Sequence, residues 1–328
     1  RVYDVGSNAL VKSYACHYYW TVSAVWALNP WVGEVVVSGA SDHAVKVWSA
    51  KGAGSRTCKP GQFLAADGAL ARLDRINGWV TSLAFSPDGR YLAGVSRDRT
   101  VRIWEVAPGQ HQWRVVSLWY DKSATNFVSV DWSADGRSIA TGDRSGRIAV
   151  WDFEPSRDRW NDAAIAAYAK VSWEGQPTWF NKNAAALAKT PRWSESGHRV
   201  VWRVRFSPDG TKVAGAGGDG LLGVYDTTTG AVAFRTGAPR AASLHGMDWH
   251  PGGGWIAAGA ADDDIYLFDA TTGAVAGALT GHADAVTAVA WSPDGSLLAS
   301  VAGGPLLSQS THDLVTGPDM TIRVWAWQ

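Results

Sequence analysis

Six times along the chain, apolar and polar positions alternate over a short run and then break at a turn. The clearest runs place apolar residues at Val80, Leu83 and Phe85, at Val201, Val204 and Phe206, and at Val286, Val289 and Trp291. The break recurs almost verbatim as FSPDG (85–89), WSADG (132–136), FSPDG (206–210) and WSPDG (291–295), with looser copies at Trp249 (WHPGG) and Leu28 (LNPWVG). Pro and Asp-Gly at these places set the dihedrals of a tight hairpin turn. A short run of small residues follows, such as YLAGVS or SIATGD, and then a β-branched and aromatic run: AVKVW, TVRIW, RIAVW, LLGVY, DIYLF, TIRVW. Strands of this length, with turns every 8–12 residues or so, predict an all-β chain. The third run ends on Trp48, Trp104, Trp151, Tyr225, Phe268 and Trp325, and six residues earlier stand Asp42, Asp98, Ser145, Asp219, Asp262 and Asp319. A period of about 40–45 residues indicates an array of small antiparallel sheets. Turns such as TTTG (227–230) and ATTG (270–273) then lead to a more polar fourth strand.

On these motifs the chain resembles the WD-repeat (WD40) β-propellers over nearly its whole length. The resemblance implies four-stranded blades whose innermost strands line a central channel. The dipeptide that names the family survives as Trp151-Asp152 and drifts elsewhere, for example to Trp48-Ser49 and Phe268-Asp269. The resemblance also implies a buried network in each blade, built from a His, a strand hydroxyl, the turn Asp and the Trp. The first copy supplies His17, Ser38, Asp42 and Trp48, and the last supplies His282, Ser300, Asp319 and Trp325. The others are incomplete: Asp98 and Trp104, Thr141 and Trp151, His198 and Asp219, and Asp262 remain. Gly94, Gly215 and Ala258 replace the hydroxyl, and Ser145 replaces the acid. Such buried polar groups are expected to satisfy one another. A His-Ser-Asp set invites comparison with a catalytic triad, but catalysis needs an exposed nucleophile, so no catalytic residue is assigned.

Residues 1–5 read as a third strand, 6–8 as a turn and 9–17 as a fourth strand with its closing His. The expectation is therefore one propeller domain over 1–328 with seven blades, the first of them partial (1–17). The alternative is six blades, with 9–16 supplying the outer strand beside 321–327.

Three segments exceed the period: 49–66, 153–183 and 303–318. The second contains NDAAIAAYAK (161–170), whose Asn/Asp start and Ala content predict a short capped helix. It also carries Trp160, Trp173, Trp179 and Phe180. Trp is enriched at interface hot spots, so these rings either form a contact surface or fold back on the propeller's own flank.

Composition narrows the function. Lys+Arg and Asp+Glu are both 30, so the net charge is zero and no global field attracts a polyanion. Nucleic acid is not the default partner. No apolar run approaches the ~18 residues that span a bilayer. Two cysteines, Cys16 and Cys58, read as unrelated thiols and favour a reducing compartment over a disulfide framework. GAGGDG (215–220) joins two strands rather than opening a helix, which argues against a nucleotide site. The run Asp262, Asp263, Asp264 lacks the alternation of a calcium loop. No His or Cys spacing suits zinc. Neither cofactor nor metal is expected.

The binding face is placed at the loops before the inner and third strands, with Trp20, Trp79, Arg97, Arg144 and Arg199 near it. Arg beside Trp suits an acidic or extended peptide, while each Arg alone is an ordinary solvated turn residue. The function expected is a non-catalytic scaffold whose partners are other proteins in a larger assembly. A peptide or modified-residue reader at the channel mouth is the alternative. A propeller enzyme or carbohydrate binder would need a carboxylate pair there, and the sequence suggests none.

Overall fold

The computed structural model describes residues 2–3, 7, 9–51, 54–57, 69–73, 76–106, 113–170, 176–303, 306–307, 314–315, 319 and 321–327. The chain divides into two compact units, one of Arg1–Phe127 with Glu154–Lys189, the other of Val128–Phe153 with Thr190–Gln328.

In the first unit the strands run β1 (Val2–Tyr3), β2 (Leu10–Ala15), β3 (Thr21–Asn29), β4 (Gly33–Ala40), β5 (Val45–Ser49), β6 (Gly54–Thr57), β7 (Ala71–Leu73), β8 (Val80–Phe85), β9 (Tyr91–Ser96), β10 (Thr100–Val106) and β11 (Trp113–Tyr120). They make two four-stranded sheets, β3-β4-β5-β7 and β8-β9-β10-β11, and a three-stranded sheet β1-β2-β6. The inner strands alternate because one residue in two must face the neighbouring sheet. Val35, Val37 and Val47 of the first sheet meet Val80, Leu83 and Leu92 of the second in one buried cluster. The small residues on second strands have a steric reason. A side-chain carbon at Gly39 would lie 2.6 Å from Val80 Cγ1, so anything larger than hydrogen separates the sheets.

This unit also holds the long insertion, folded as α1 (Pro155–Asp158), α2 (Asp162–Ala169) and α3 (Gln176–Leu187). Asn161 caps α2, its Oδ1 accepting from Ala164 N at 2.9 Å. Leu187 and Trp160 pack on Leu118 of β11.

The second unit contains β12 (Phe127–Trp132), whose first residue belongs to the other unit, then β13 (Ser138–Asp143), β14 (Arg147–Asp152), β15 (Trp193–Ser196), β16 (Val201–Phe206), β17 (Lys212–Gly217), β18 (Leu221–Asp226), β19 (Val232–Gly237), β20 (Leu244–Trp249), β21 (Trp255–Ala260), β22 (Ile265–Asp269), β23 (Val275–Leu279), β24 (Val286–Trp291), β25 (Leu297–Ala302), β26 (Leu306–Leu307), β27 (Leu314–Val315) and β28 (Ile322–Ala326). Three antiparallel sheets of four consecutive strands are followed by the three-stranded β24-β25-β28, and β26 pairs with β27. Gly142 against Val201 and Gly259 against Val286 repeat the close approach, with 2.5 and 2.6 Å left for an added carbon. Between these sheets a carboxylate reaches across: Asp131 accepts from Phe206 N at 2.8 Å, and Asp248 from Trp291 N at 2.9 Å.

The fold is an all-β β-propeller, decorated by three helices among the described residues. It has six blades, the alternative count rather than the expected seven. Residues 1–17 contribute an antiparallel pair, β1 with β2, and β2 takes the parallel strand β6 on its other side. That pairing replaces the outer-strand role considered for 9–16, because the first insertion supplies β2 with a partner.

Candidate functional site

Two sets of side chains were candidates: the blade networks and the loop face. The networks are complete where the sequence has all four members. In the first blade His17 Nδ1 lies 2.9 Å from Asp42 Oδ2, His17 Nε2 lies 2.8 Å from Ser38 Oγ, and Trp48 Nε1 donates to the same hydroxyl at 2.9 Å. The carboxylate can only accept, so Nδ1–H donates to it. The hydroxyl accepts from Trp48 and gives its own proton to Nε2. The last blade repeats this, with 2.9 Å from His282 to Asp319 and 2.8 Å from Ser300 Oγ to both His282 Nε2 and Trp325 Nε1. Ser300 is fully buried and engaged on both sides, so its oxygen does not reach a substrate. Burial alone would raise the pKa of Asp42. Its hydrogen bond and charge interaction with His17, with amide donors from Tyr18 and Ala44, outweigh this and hold it below the usual carboxylate value. Asp319 is held far below that value by Thr321, the Ala283 amide and His282.

The incomplete blades substitute rather than lose their braces. Tyr225 OH takes the place of the indole, 3.4 Å from His198 Nε2, while His198 Nδ1 lies 3.2 Å from Asp219. Trp151 still donates to Thr141 at 2.9 Å. There Ser145 does not replace the acid: Asp143 does, accepting from Ser145 N, Ser145 Oγ and Arg147 N at 2.8, 2.6 and 3.1 Å. The acid has moved two residues back, and DRSGR against SRDRT was the visible signal. In the second blade Asp98 pairs with buried Arg102 at 2.9 Å, and Trp104 fills the space beside Gly94, 2.6 Å from where a side-chain carbon would stand. Sequence reasoning did not find Arg102. Asp262 accepts from Tyr266 OH at 2.6 Å; burial, then this bond, pushes the phenol up to about 12.

Cys16 is buried and disulfide-bonded, which corrects the expectation of unrelated thiols and removes its argument for a reducing compartment. Cys58 lies outside the described residues, as does Trp173. Trp179 and Phe180 fall in α3, with side chains outside the description. Trp160 folds onto β11, with its N–H donating to Val116 O at 2.7 Å.

The loop face assembles in the first unit. Tyr18, Tyr19 and Trp20 precede β3 and are 58, 59 and 47% exposed. Tyr18 and Tyr19 meet edge to face at 4.6 Å, and Trp20 meets Trp79, just before β8, at 6.1 Å. Arg97, in the turn from β9 to β10, lies over the Trp79 ring at 3.6 Å, and its N–H donates to Trp79 O at 3.1 Å. Trp20, Trp79 and Arg97 are thus brought together. The exposed side chains of Arg144 and Arg199 belong to the second unit. The two tyrosines were missed by sequence reasoning; their signal was YYW next to the network His17. An exposed stripe of Val22, Trp26 and Leu28 continues along β3.

These sheets and braces define a repeat propeller, and its first unit exposes aromatic rings beside an arginine. A family model for the WD domain, G-beta repeat, matches residues 71–105, 116–152, 189–226, 236–269 and 273–326, more than half of the sequence. The chain belongs to the WD-repeat family. Among similar curated proteins, "Nuclear distribution protein PAC1" of Arthroderma benhamiae is 35% identical over 74 residues, 23% of this chain and 13% of that protein. "Nuclear distribution protein nudF" of Emericella nidulans is 34% identical over 74 residues, again 23% and 13%. The PAC1 protein of Tuber melanosporum is 32% identical over 73 residues, 22% and 13%. The matched stretch therefore spans about an eighth of each relative's length.

Proposed function

We infer that this chain is a non-catalytic scaffold that binds other proteins, with the loop face of Tyr18, Tyr19, Trp20, Trp79 and Arg97 as its contact surface. The observation that carries the reading is the exposure of three consecutive aromatic rings beside an arginine stacked on a fourth. Exposed Tyr, Trp and Arg in one patch supply large contact area at low ordering cost, as interface hot spots do. The apolar stripe on β3 extends the same surface. The partial likeness to proteins named for nuclear distribution agrees with a scaffold, and membership of a larger assembly is part of the proposal.

The test is affinity purification followed by mass spectrometry, comparing the chain with a Tyr19→Ala/Trp20→Ala variant. Both residues are exposed, so the melting temperature should stay within about 2 °C. The partner set should shrink. An unchanged partner set at unchanged stability would remove this surface from the reading.

A further inference from the structure

We propose that Arg203, on β16, is the centre of a binding site for a single carboxylate group, carried by a small organic acid or by an acidic side chain of a partner protein. The site lies wholly in the second unit and does not rest on the aromatic face of the first.

β12, β16, β20 and β24 are the end strands of four consecutive sheets. In four sheets the residue three before the turn aromatic is small: Ser82, Ser129, Gly246 and Ala288. Two of them show why. Ser129 Oγ accepts from Val204 N of the next sheet at 3.0 Å, and a side-chain carbon at Gly246 would stand 2.6 Å from Ala288 Cα. Ser23, which follows the same register shift on β3, accepts from Leu83 N at 3.1 Å. β16 breaks the pattern with Arg203, which follows its own register shift. A guanidinium cannot accept from an amide, so Arg203 supplies no such brace.

Arg203 brings a charge instead. Alternate residues of a strand share a face, so Arg203 and Arg205 put two cations on one side of β16, while Val204 and Phe206 pack in the core on the other. Arg205 is matched. It faces Asp131 at 3.4 Å and Asp248 at 3.5 Å, and these carboxylates also accept from Phe206 N at 2.8 Å and Trp291 N at 2.9 Å. Arg203 makes no hydrogen bond and no ion pair among the described residues. It is half-buried, so it loses part of its water without a replacement and still touches solvent. The charge of Arg205, then burial, hold it below the ordinary arginine value, although Asp248 and Asp131 act the other way. An arginine stays protonated at neutral pH, so the cost is carried as unpaired charge. A residue that breaks the packing rule of the other sheets, braces nothing and costs stability fits a ligand contact.

The same neighbours set the ligand's charge. Arg203, Arg205, Asp131 and Asp248 already balance two against two, and both carboxylates act on Arg203. A dianion such as phosphate would meet their repulsion twice over. One carboxylate fits the planar fork of Arg203 with a single charge.

The test follows the melting temperature at constant ionic strength against sodium acetate, inorganic phosphate and a capped peptide with one glutamate between alanines, with sodium chloride as reference. Acetate and the glutamate peptide should each give a saturable rise; phosphate and the glutamine version of the peptide should not. Arg203→Gln should weaken carboxylate binding by about tenfold or more. Arg203→Ser restores the residue type of β12; it should abolish the response and raise the urea midpoint of the unliganded chain, because an unpaired cation is removed. A purely structural arginine would lower stability in both variants, and that result would overturn the proposal. So would the lack of a saturable response to either carboxylate, an equal response in Arg203→Gln, or phosphate acting as well as acetate. A peptide that saturates at about tenfold lower concentration than acetate assigns the site to a partner's acidic side chain; equal concentrations assign it to a small acid. The readout needs no partner protein, so its failure is distinct from failure of the scaffold reading.

Discussion

At Ser300 one hydroxyl serves two rings, accepting from Trp325 and donating to His282 in a fully buried site. Ser300→Ala leaves an indole N–H and an imidazole nitrogen without partners and should cost about 2–4 kcal/mol, since each buried unpaired group costs ~1–3 kcal/mol. Urea unfolding checks it. The opposite change at Gly94 should not help. Gly94→Ser restores the hydroxyl that the complete blades carry, yet Trp104 already occupies that space, with 2.6 Å left for the new carbon. Overpacking of this kind costs about 1–3 kcal/mol, and the same unfolding experiment should show destabilisation. The complete networks were legible because all four residue types fall at fixed spacing. Arg102 and Asp143 were not, because a brace can be replaced from a different position when only the spatial point matters.

The insertion is an element whose helix could be read and whose docking could not. Asn161 and an alanine run announce α2, but a helix poor in large apolar residues does not say which face turns inward. In the structure the segment braces β11. Trp160 and Leu187 pack on Leu118, Lys189 lies over Trp119 at 3.8 Å, and Lys189 pairs with Asp158 at 2.9 Å. Trp160 is therefore part of the flank rather than of a free contact surface. Trp160→Ala should lower stability by about 2 kcal/mol, below the ~3–5 kcal/mol of a fully buried large aromatic because the ring is only partly buried. Amide hydrogen exchange should quicken in β11 and leave β20–β23 unchanged; uniform quickening, or none, would contradict a local brace.

For the whole molecule, the repeat was legible because every blade solves the same packing problem with the same period. The blade count was less so, since a strand pair at one end reads the same whether it extends a blade or pairs, as β2 does, with β6. The disulfide at Cys16 left no spacing signal, because one pair of cysteines carries no pattern. Acid sensitivity also belongs to this scale, since several blades contribute to it. Asp42, Asp98 and Asp319 are all held below the usual carboxylate value: burial raises the first two, but His17 and Arg102 respectively outweigh it, and Thr321 leads for the third. A depressed folded value means the folded chain binds fewer protons than the unfolded chain. The stability these groups contribute is thus present above the unfolded value of about 4 and is lost as pH falls through the folded values. Asp131 acts in the opposite sense, because its burial raises the folded value, so it offsets part of the loss on acidification. The networks outnumber it, and burial also holds His245 below the usual imidazole value, so stability should begin to decline as pH falls below about 6.5 and fall more steeply below about 4. Asp42→Asn/Asp319→Asn should be less stable at pH 7 and should fall less steeply in acid, as read from urea midpoints across pH. A double variant with the parent's acid slope would show that the acid sensitivity arises outside these two networks.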